Sequence, residues 1–272
     1  MKVAVVQMCS SPDVSANLQA ACQWIEQAGA QGAELVLLPE YFCGMGHHDR
    51  DKLDWCEDFG HGPVQDALAQ CARAQGVWLI AGTVPLRAPQ PEHVYNASLV
   101  FNPQGQCTAR YDKIHLFRFS TGAEQYDESL VIQPGHSPVC ADLTDRSGQP
   151  WRVGLSVCYD LRFPELYRQY AQAGADVLVV PSAFTFTTGQ AHWEVLLRAR
   201  AIENQCFVLA AAQGGRHDNG RRTWGHSMAI SPWGEVLQQR TDPSPGLVLA
   251  QLQRAPLQQV RRQLPALEHR VL

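Results

Sequence analysis

The sequence lacks several features that would indicate particular classes of protein. Its 272 residues show no excess of basic side chains, with a formal net charge of -4, so we expect no nucleic-acid partner. No apolar stretch approaches the roughly 18 residues that a membrane span needs. The apolar run after Met1 and Lys2 turns polar at Gln7, which is too early for a signal peptide. We therefore expect a cytoplasmic protein with no membrane partner.

The cysteines do not follow a pattern typical of disulfide-rich or metal-binding proteins. There are nine of them, no pair has Cys-x-x-Cys spacing, and no His-x-x-x-His occurs. We expect reduced thiols, no metal and no cofactor. All but one are predicted to be small buried hydrophobic residues. The exception is Cys158, whose neighbours in the sequence suggest a catalytic role.

Hydrophobic patterning predicts an α/β fold. A strand at 2–8, a helix at 17–32 and a strand at 34–39 form a βαβ opening. Continuous apolar runs, typical of strands covered on both faces, alternate afterwards with helical segments. The runs lie at 35–38, 77–80, 177–180 and 207–212, and the helices at 64–76, 164–174 and 190–204.

Turn residues between short strands predict two hairpins, which pair 97–101 with 107–111 and 228–230 with 236–239. The Gly- and Pro-rich stretches 87–91 and 214–220 are predicted to be surface loops, because strand-like segments resume on either side. We therefore predict one domain over 1–272. Within it, 258–272 is predicted to form a C-terminal arm that packs on its own chain or across an oligomer interface.

Three predicted strand ends carry residues that could perform chemistry. Cys158 lies between a strand and the helix that Pro164 opens, where helix N-terminal amides would favour a thiolate. Glu40 follows an apolar strand and Pro39, and burial beside Tyr41 would raise its pKa and make it a base. Lys113 interrupts an otherwise apolar or aromatic stretch and could stabilise an oxyanion.

Each of these residues also has an ordinary structural interpretation, as a buried thiol, a strand-end carboxylate or a solvated lysine. Together they provide the nucleophile, base and cation that acyl transfer needs. Histidine is the usual base for a cysteine nucleophile. The candidates are His47, His48, His61, His115, His192 and His226. His47 and His48 lie in a polar loop where adjacent side chains cannot easily share a site, and for His192 and His226 we expect core or supporting hydrogen-bonding roles.

Three segments resemble the carbon–nitrogen hydrolases of the nitrilase superfamily: LPEY at 38–41, YDKIHL at 111–116 and GLSVCYDLRFPE at 154–165. The resemblance extends over nearly the whole chain. It implies a four-layer αββα sandwich, a homodimer or higher homo-oligomer, and a small-molecule amide substrate. It also implies that Glu40 is the base, Lys113 the oxyanion cation and Cys158 a nucleophile that forms a thioester. Glu128 would be a second glutamate of the site, with Glu124 as the competing assignment.

Within this superfamily the chain is most similar to the deaminated glutathione amidases of the Nit branch, on segments 158–165, 192–203, 225–228 and 264–270. This similarity implies hydrolysis of an α-keto analogue of glutathione to 2-oxoglutarate and cysteinylglycine, a metabolite-repair reaction. Leu86 stands where many relatives have a glutamate, and the loop 117–126 differs in composition. Both departures concern substrate choice and leave the three central residues in place.

The predicted substrate contacts surround the same strand ends. Arg162 is a candidate clamp for the substrate carboxylate, with an ion pair to Glu165 as the structural alternative. The remaining predicted contacts are Tyr41, Tyr159, Ser182 and Phe184. Other functions stay open: an ω-amidase acting on 2-oxoglutaramate, an N-carbamoyl amino acid hydrolase, a catalytically idle interaction scaffold, or a metal-binding Cys/His protein.

Overall fold

The computed structural model describes residues 1–120, 122 and 125–271. Its strands are β1 (Lys2–Gln7), β2 (Leu35–Leu37), β3 (Trp78–Ile80), β4 (Val84–Arg87), β5 (Val94–Phe101), β6 (Cys107–Asp112), β7 (Arg118–Ser120), β8 (Gln125–Asp127), β9 (Cys140–Thr144), β10 (Pro150–Leu155), β11 (Val177–Val179), β12 (Phe207–Ala210), β13 (Gly214–Arg216), β14 (Arg222–Trp224), β15 (Met228–Ile230), β16 (Val236–Gln239) and β17 (Gly246–Gln251). Its α-helices are α1 (Val14–Ala30), α2 (Pro63–Gln75), α3 (Pro164–Gln172), α4 (Phe186–Asn204) and α5 (Arg254–Gln263).

Two β-sheets form the centre of the molecule. The first has the order β17-β1-β2-β3-β5-β4, with β6 added to β5, and the second has the order β16-β15-β12-β11-β10-β9. Strands β1, β2 and β3 are parallel in the first sheet, as are β10, β11 and β12 in the second. Parallel neighbours end at the same edge of a sheet, so the residues that follow them come together there.

The side chains of each central strand alternate between two apolar layers. Val3 and Val5 pack into a core shared with the second sheet, whereas Ala4 and Val6 face α1 and α2. The other face of the second sheet is covered by α3 and α4, which contribute buried residues such as Trp193. The layers are therefore helices, sheet, sheet and helices, which confirms the predicted αββα sandwich.

One predicted surface loop, 214–220, is wrong. Gly214–Arg216 forms a strand that pairs with Arg222–Trp224. His217 is also buried, because its ring hydrogen bonds to the Ser10 carbonyl and to Thr223 Oγ1. A buried partner far away in the sequence, the Ser10 carbonyl, helps to fix this Gly-rich segment. Its composition alone therefore wrongly indicates a surface loop.

The predicted C-terminal arm begins inside a helix. Helix α5 spans Arg254–Gln263 and buries Leu257 in the main core. The guanidinium of Arg261 donates to the Ala175 carbonyl at 2.6 Å, so this part of the tail packs on its own chain. None of the helices in the described ranges is both long and apolar enough to cross a membrane.

All nine cysteines are free. Cys43, Cys158 and Cys206 are buried, and five others are partly buried. Cys107 is exposed, against the prediction, because it is the first residue of β6, directly after the turn at 102–106.

Candidate active site

Cys158 lies on a sharp corner at the carboxyl end of β10. The chain passes from the strand into a short 3₁₀ helix, Cys158–Arg162, and then into α3. Cys158 has a φ of 50°, a left-handed conformation that side chains other than glycine rarely adopt. Its N–H donates to the Pro181 carbonyl at 2.8 Å, and Asp160 accepts the Val157 N–H at 2.8 Å. These hydrogen bonds hold the thiol at the edge of the sheet.

Glu40 lies beside this corner because β2 ends just before it. Its carboxylate is fully enclosed and accepts hydrogen bonds from Asn96 Nδ2 and from the Ala183 N–H, each at 2.9 Å. Burial raises the pKa of Glu40. The charge of Lys113 partly offsets this rise, and the charge of Glu128 adds to it. A carboxylate with a raised pKa is suited to accept a proton near neutral pH.

Lys113 follows β6 and joins two carboxylates. Its Nζ is 2.9 Å from Glu40 Oε1 and 2.9 and 2.8 Å from the two oxygens of Glu128. Burial alone would lower the pKa of Lys113, but the charges of Glu128 and Glu40 outweigh it and hold that pKa well above its usual range. The ammonium group therefore stays charged inside the protein.

Glu128 is fixed by more partners than Lys113 alone. It accepts hydrogen bonds from the Tyr41 hydroxyl and the Phe117 N–H, both at 2.7 Å. Its own N–H donates to the Phe117 carbonyl at 3.0 Å. The competing candidate, Glu124, lies outside the described residues.

The thiol of Cys158 does not have the lowered pKa expected from nearby helix amides. Burial raises its pKa well above the usual value, the charge of Glu40 raises it further, and Lys113 only partly offsets this. The expectation of a resting thiolate is therefore wrong. A buried neutral thiol must give its proton to a base when it attacks, and the neighbouring Glu40 carboxylate can accept that proton.

Two connected cavities open onto Cys158. The first is the larger and is lined by Glu40, Tyr41, Glu128, Arg221 and Arg222 among others. The second is smaller and is lined by Tyr159, Arg162, Phe184 and Thr188. Both include Phe117, Cys158, Ala183 and Thr185.

Four of the five predicted substrate contacts thus border a cavity, and Ser182 does not. Its side chain is fully buried, and its hydroxyl has no hydrogen-bond partner within the described part of the chain. Its N–H donates to the Ala211 carbonyl at 2.7 Å, as in a strand. Alternation along this extended segment places the next residue, Ala183, on the cavity wall.

Comparison with known proteins agrees with this geometry. The carbon–nitrogen hydrolase family model matches residues 2–262. The chain is a carbon–nitrogen hydrolase. It is 41% identical to a deaminated glutathione amidase of Yersinia enterocolitica, over 98% of this chain and 92% of that one.

Solved structures show the same fold. The C. elegans NitFhit protein superposes with a TM-score of 0.87 at 37% identity, covering 99% of this chain but only 65% of the longer NitFhit chain. Saccharomyces cerevisiae Nit3, a member of branch 10 of the nitrilase superfamily, also gives a TM-score of 0.87, at 29% identity, covering 100% of this chain and 97% of that one. The hydrolase is therefore an enzyme acting on carbon–nitrogen amide bonds, rather than an idle scaffold.

Sequence reasoning missed the residue that organises the corner of this hydrolase. Asp160 is fully buried and accepts from the Tyr111 hydroxyl at 2.7 Å and the Val157 N–H at 2.8 Å. It also accepts from the His115 N–H at 2.9 Å and lies 2.7 Å from the His115 ring. The signal in the sequence was an acid two residues beyond the nucleophile, and two of its partners, Tyr111 and His115, lie in the segment around Lys113.

The described residues contain no group of three or more His, Cys, Asp and Glu side chains arranged to hold a metal ion. Arg162 forms no ion pair with Glu165 within this part of the chain. Its guanidinium lies over the rings of Tyr159 and Phe184, at 5.8 and 5.4 Å, and contacts His192 Nδ1 at 3.2 Å. Arg162, the candidate clamp for the substrate carboxylate, is therefore not neutralised by Glu165.

Proposed function

We propose that the hydrolase cleaves the amide bond of deaminated glutathione to give 2-oxoglutarate and cysteinylglycine. The name of the Yersinia enterocolitica relative, 41% identical over nearly the full length, supports this substrate. The observation that carries the chemistry is Lys113, whose ammonium joins Glu40 and Glu128 beside the Cys158 thiol. A buried nucleophile, base and cation together favour hydrolysis of an unactivated amide.

In the proposed first step, the Cys158 sulfur attacks the amide carbonyl carbon while Glu40 takes the thiol proton. The carbonyl oxygen becomes an oxyanion, and the charge of Lys113 stabilises it. The intermediate then collapses, the carbon–nitrogen bond breaks, and protonated Glu40 gives its proton to the leaving amine. A thioester on Cys158 remains.

In the second step, Glu40 takes a proton from water as the water oxygen attacks the thioester carbonyl. The carbon–sulfur bond breaks, the acid product leaves, and the thiol regains its proton. Glu128 positions Lys113 through both carboxylate oxygens and does not itself touch the reacting atoms. Its anchors are the Tyr41 hydroxyl and the Phe117 N–H.

Three of the proposed substrate contacts, Tyr159, Arg162 and Phe184, line the second cavity. Arg162 would bind the carboxylate of the keto-acid half, because it is a cation on an otherwise aromatic wall. Tyr159 and Phe184 would pack against the carbon chain. Tyr41 would form the wall beside Glu128, and Ser182 would support Ala183 from behind.

The test compares kcat/KM on deaminated glutathione, 2-oxoglutaramate and an N-carbamoyl amino acid. We expect the first to be preferred, with Cys158→Ala as the inactive control. A clear preference for either of the others would replace this substrate with that of an ω-amidase or a carbamoyl hydrolase.

We also propose that the enzyme is a cytoplasmic homodimer or higher homo-oligomer. Val195 and Ile202 lie seven residues apart on one face of α4 and are 70% and 51% exposed, and Trp233 is 57% exposed. Such exposed apolar side chains favour a protein interface. Nine free cysteines are in keeping with a reducing compartment. Analytical ultracentrifugation of the wild type and of Val195→Glu tests the assembly, and a monomeric wild type would contradict it.

A further inference from the structure

The two cavities at Cys158 differ in which catalytic groups they contain. Glu40 and Glu128 line the first cavity and are absent from the lining of the second. The first is also the larger of the two. A substrate bound across Cys158 would place one half in each.

The proposed chemistry decides which half lies in which cavity. The leaving amine must receive a proton from Glu40, so the amine half has to lie on the Glu40 side. The acyl half then extends into the second cavity, towards Arg162. The larger half of deaminated glutathione, the dipeptide, is thus matched with the larger cavity.

The charges around the first cavity are mostly already paired. Lys113 is bound by Glu40 and Glu128, and Arg221 lies 3.4 Å from Asp49 and over the Tyr126 ring. Arg222 differs, because no carboxylate within the described residues forms an ion pair with it. Its guanidinium lies 4.1 Å from the centre of the Phe186 ring and at the cavity wall.

The backbone holds Arg222 in this position. Strand β14 pairs with β13 on one side, and Thr223 forms a β-bridge with Thr185, itself a residue of the cavity wall. Trp224 packs so closely on Gly189 of α4 that a Cβ there would lie 2.2 Å away. A cation on a segment held this firmly can recognise an anion without first being ordered.

We propose that the first cavity is an amine-side subsite in which Arg222 binds a carboxylate of the leaving group. The enzyme would then favour amides whose amine half is an amino acid or a short peptide with a free carboxylate. The other charged groups of this wall, Glu40, Asp49, Asp127, Glu128 and Arg221, already have charged partners, so Arg222 is the cation that remains for such a group among the described residues. This inference rests on the proposed function, since it assigns the two halves of that substrate.

The test measures kcat/KM of the wild type and of Arg222→Ala on three substrates with the same acyl half. These are deaminated glutathione, its glycine carboxamide analogue and 2-oxoglutaramate. The variant should lower the preference for deaminated glutathione over each of the other two by about 10- to 100-fold, the usual scale of a hydrogen-bonded charge pair. Arg222→Lys should restore part of it. Arg216→Ala is the matched control, because Arg216 is exposed like Arg222 and lies opposite it in the backbone register of the hairpin, but lines neither cavity.

An equal loss on all three substrates, or no loss on deaminated glutathione, would overturn the subsite. A second measurement keeps the inference testable if the variant does not fold. Cysteinylglycine should inhibit wild-type hydrolysis of 2-oxoglutaramate more strongly than cysteinylglycinamide does, and equal inhibition would overturn the subsite.

The same measurement separates the two proposals. Should the wild type hydrolyse 2-oxoglutaramate but not deaminated glutathione, the proposed function fails. Carboxylate-dependent inhibition by cysteinylglycine would still support the amine-side subsite in that case.

Discussion

Replacing Glu128 by glutamine should move the acid limb of the pH–rate profile to lower pH. Glu40 Oε1 and both Glu128 oxygens lie within 2.9 Å of the same Lys113 nitrogen, so the two carboxylates are at most about 6 Å apart. At an effective dielectric constant of about 20, unit charges at that separation interact by about 3 kcal/mol, or about 2 pH units. This repulsion is part of what raises the pKa of Glu40.

The sign follows from the role of the base. Glu40 must be unprotonated to act, so activity is lost as the pH falls through its pKa. Removing the Glu128 charge lowers the pKa of Glu40 in two ways. It removes a repulsion between the two carboxylates, and it leaves Glu40 as the one carboxylate of the pair that shares the charge of Lys113. The variant should therefore stay active to lower pH, by up to about 2 units. Above the limb its kcat should be lower, because Glu40 becomes a weaker base.

The assay is kcat/KM as a function of pH for the wild type and Glu128→Gln, with thermal unfolding to show that both are folded. Asp127→Asn is the matched control, because it removes the neighbouring charge, which is paired with the exposed Arg118 rather than with Lys113. Its limb should move much less, since solvent screens that carboxylate. An unchanged or upward-shifted limb in Glu128→Gln would refute the electrostatic coupling of the two glutamates.

Cys158→Ala and Cys158→Ser should abolish hydrolysis and the acyl-enzyme mass while leaving the unfolding temperature nearly unchanged; near-normal turnover would contradict the thioester. Lys113→Ala should lower kcat by about 100- to 1000-fold through loss of the oxyanion cation, and it should also lower the unfolding temperature, because two buried carboxylates lose their partner. Asp160→Asn should lower the free energy of unfolding by about 1–3 kcal/mol in denaturant titrations, since a buried acceptor of several hydrogen bonds is weakened. Gly82→Ala should reduce activity and stability together, because the added Cβ would lie 2.0 Å from the Pro39 carbonyl oxygen, just before Glu40; a variant that behaves like the wild type would show that this segment shifts freely.

Sequence patterns predicted the bounds of a strand or helix well where neighbouring residues in the sequence determine those bounds. The hairpin of β15 and β16 has the predicted bounds, because the turn residues between the two strands define where the first ends and the second begins. Helix α4 begins at Phe186, four residues earlier than predicted. Its first turn is rich in threonine and glycine, which are poor helix formers, and Thr185 caps it through the Thr188 N–H. The packing of Trp224 on Gly189 fixes this turn, and no local pattern contains that contact.

The candidate site shows the same division. The types and order of Glu40, Lys113 and Cys158 could be recognised in the sequence, as could the raised pKa of Glu40, whereas the ionisation of Cys158 could not. The amides near Cys158 suggested a thiolate, but its pKa depends on complete burial and on a carboxylate 118 positions earlier in the sequence. Similarly, Arg221 and Arg222 are adjacent arginines in the sequence, and only the fold distinguishes Arg222 from Arg221, which is paired with Asp49.

The backbone at the site is held in a conformation that the local sequence does not favour. Tyr41 and Cys158 have φ angles of 56° and 50°, and each such residue typically costs about 1–3 kcal/mol. Thr83 Oγ1 accepts the Tyr41 N–H at 2.9 Å, and the Pro181 carbonyl accepts the Cys158 N–H at 2.8 Å. These contacts stabilise the two corners that direct Glu40 and the thiol towards one point. Relaxing either corner would relieve backbone strain and separate the base from the nucleophile, so local stability and catalytic geometry oppose each other here.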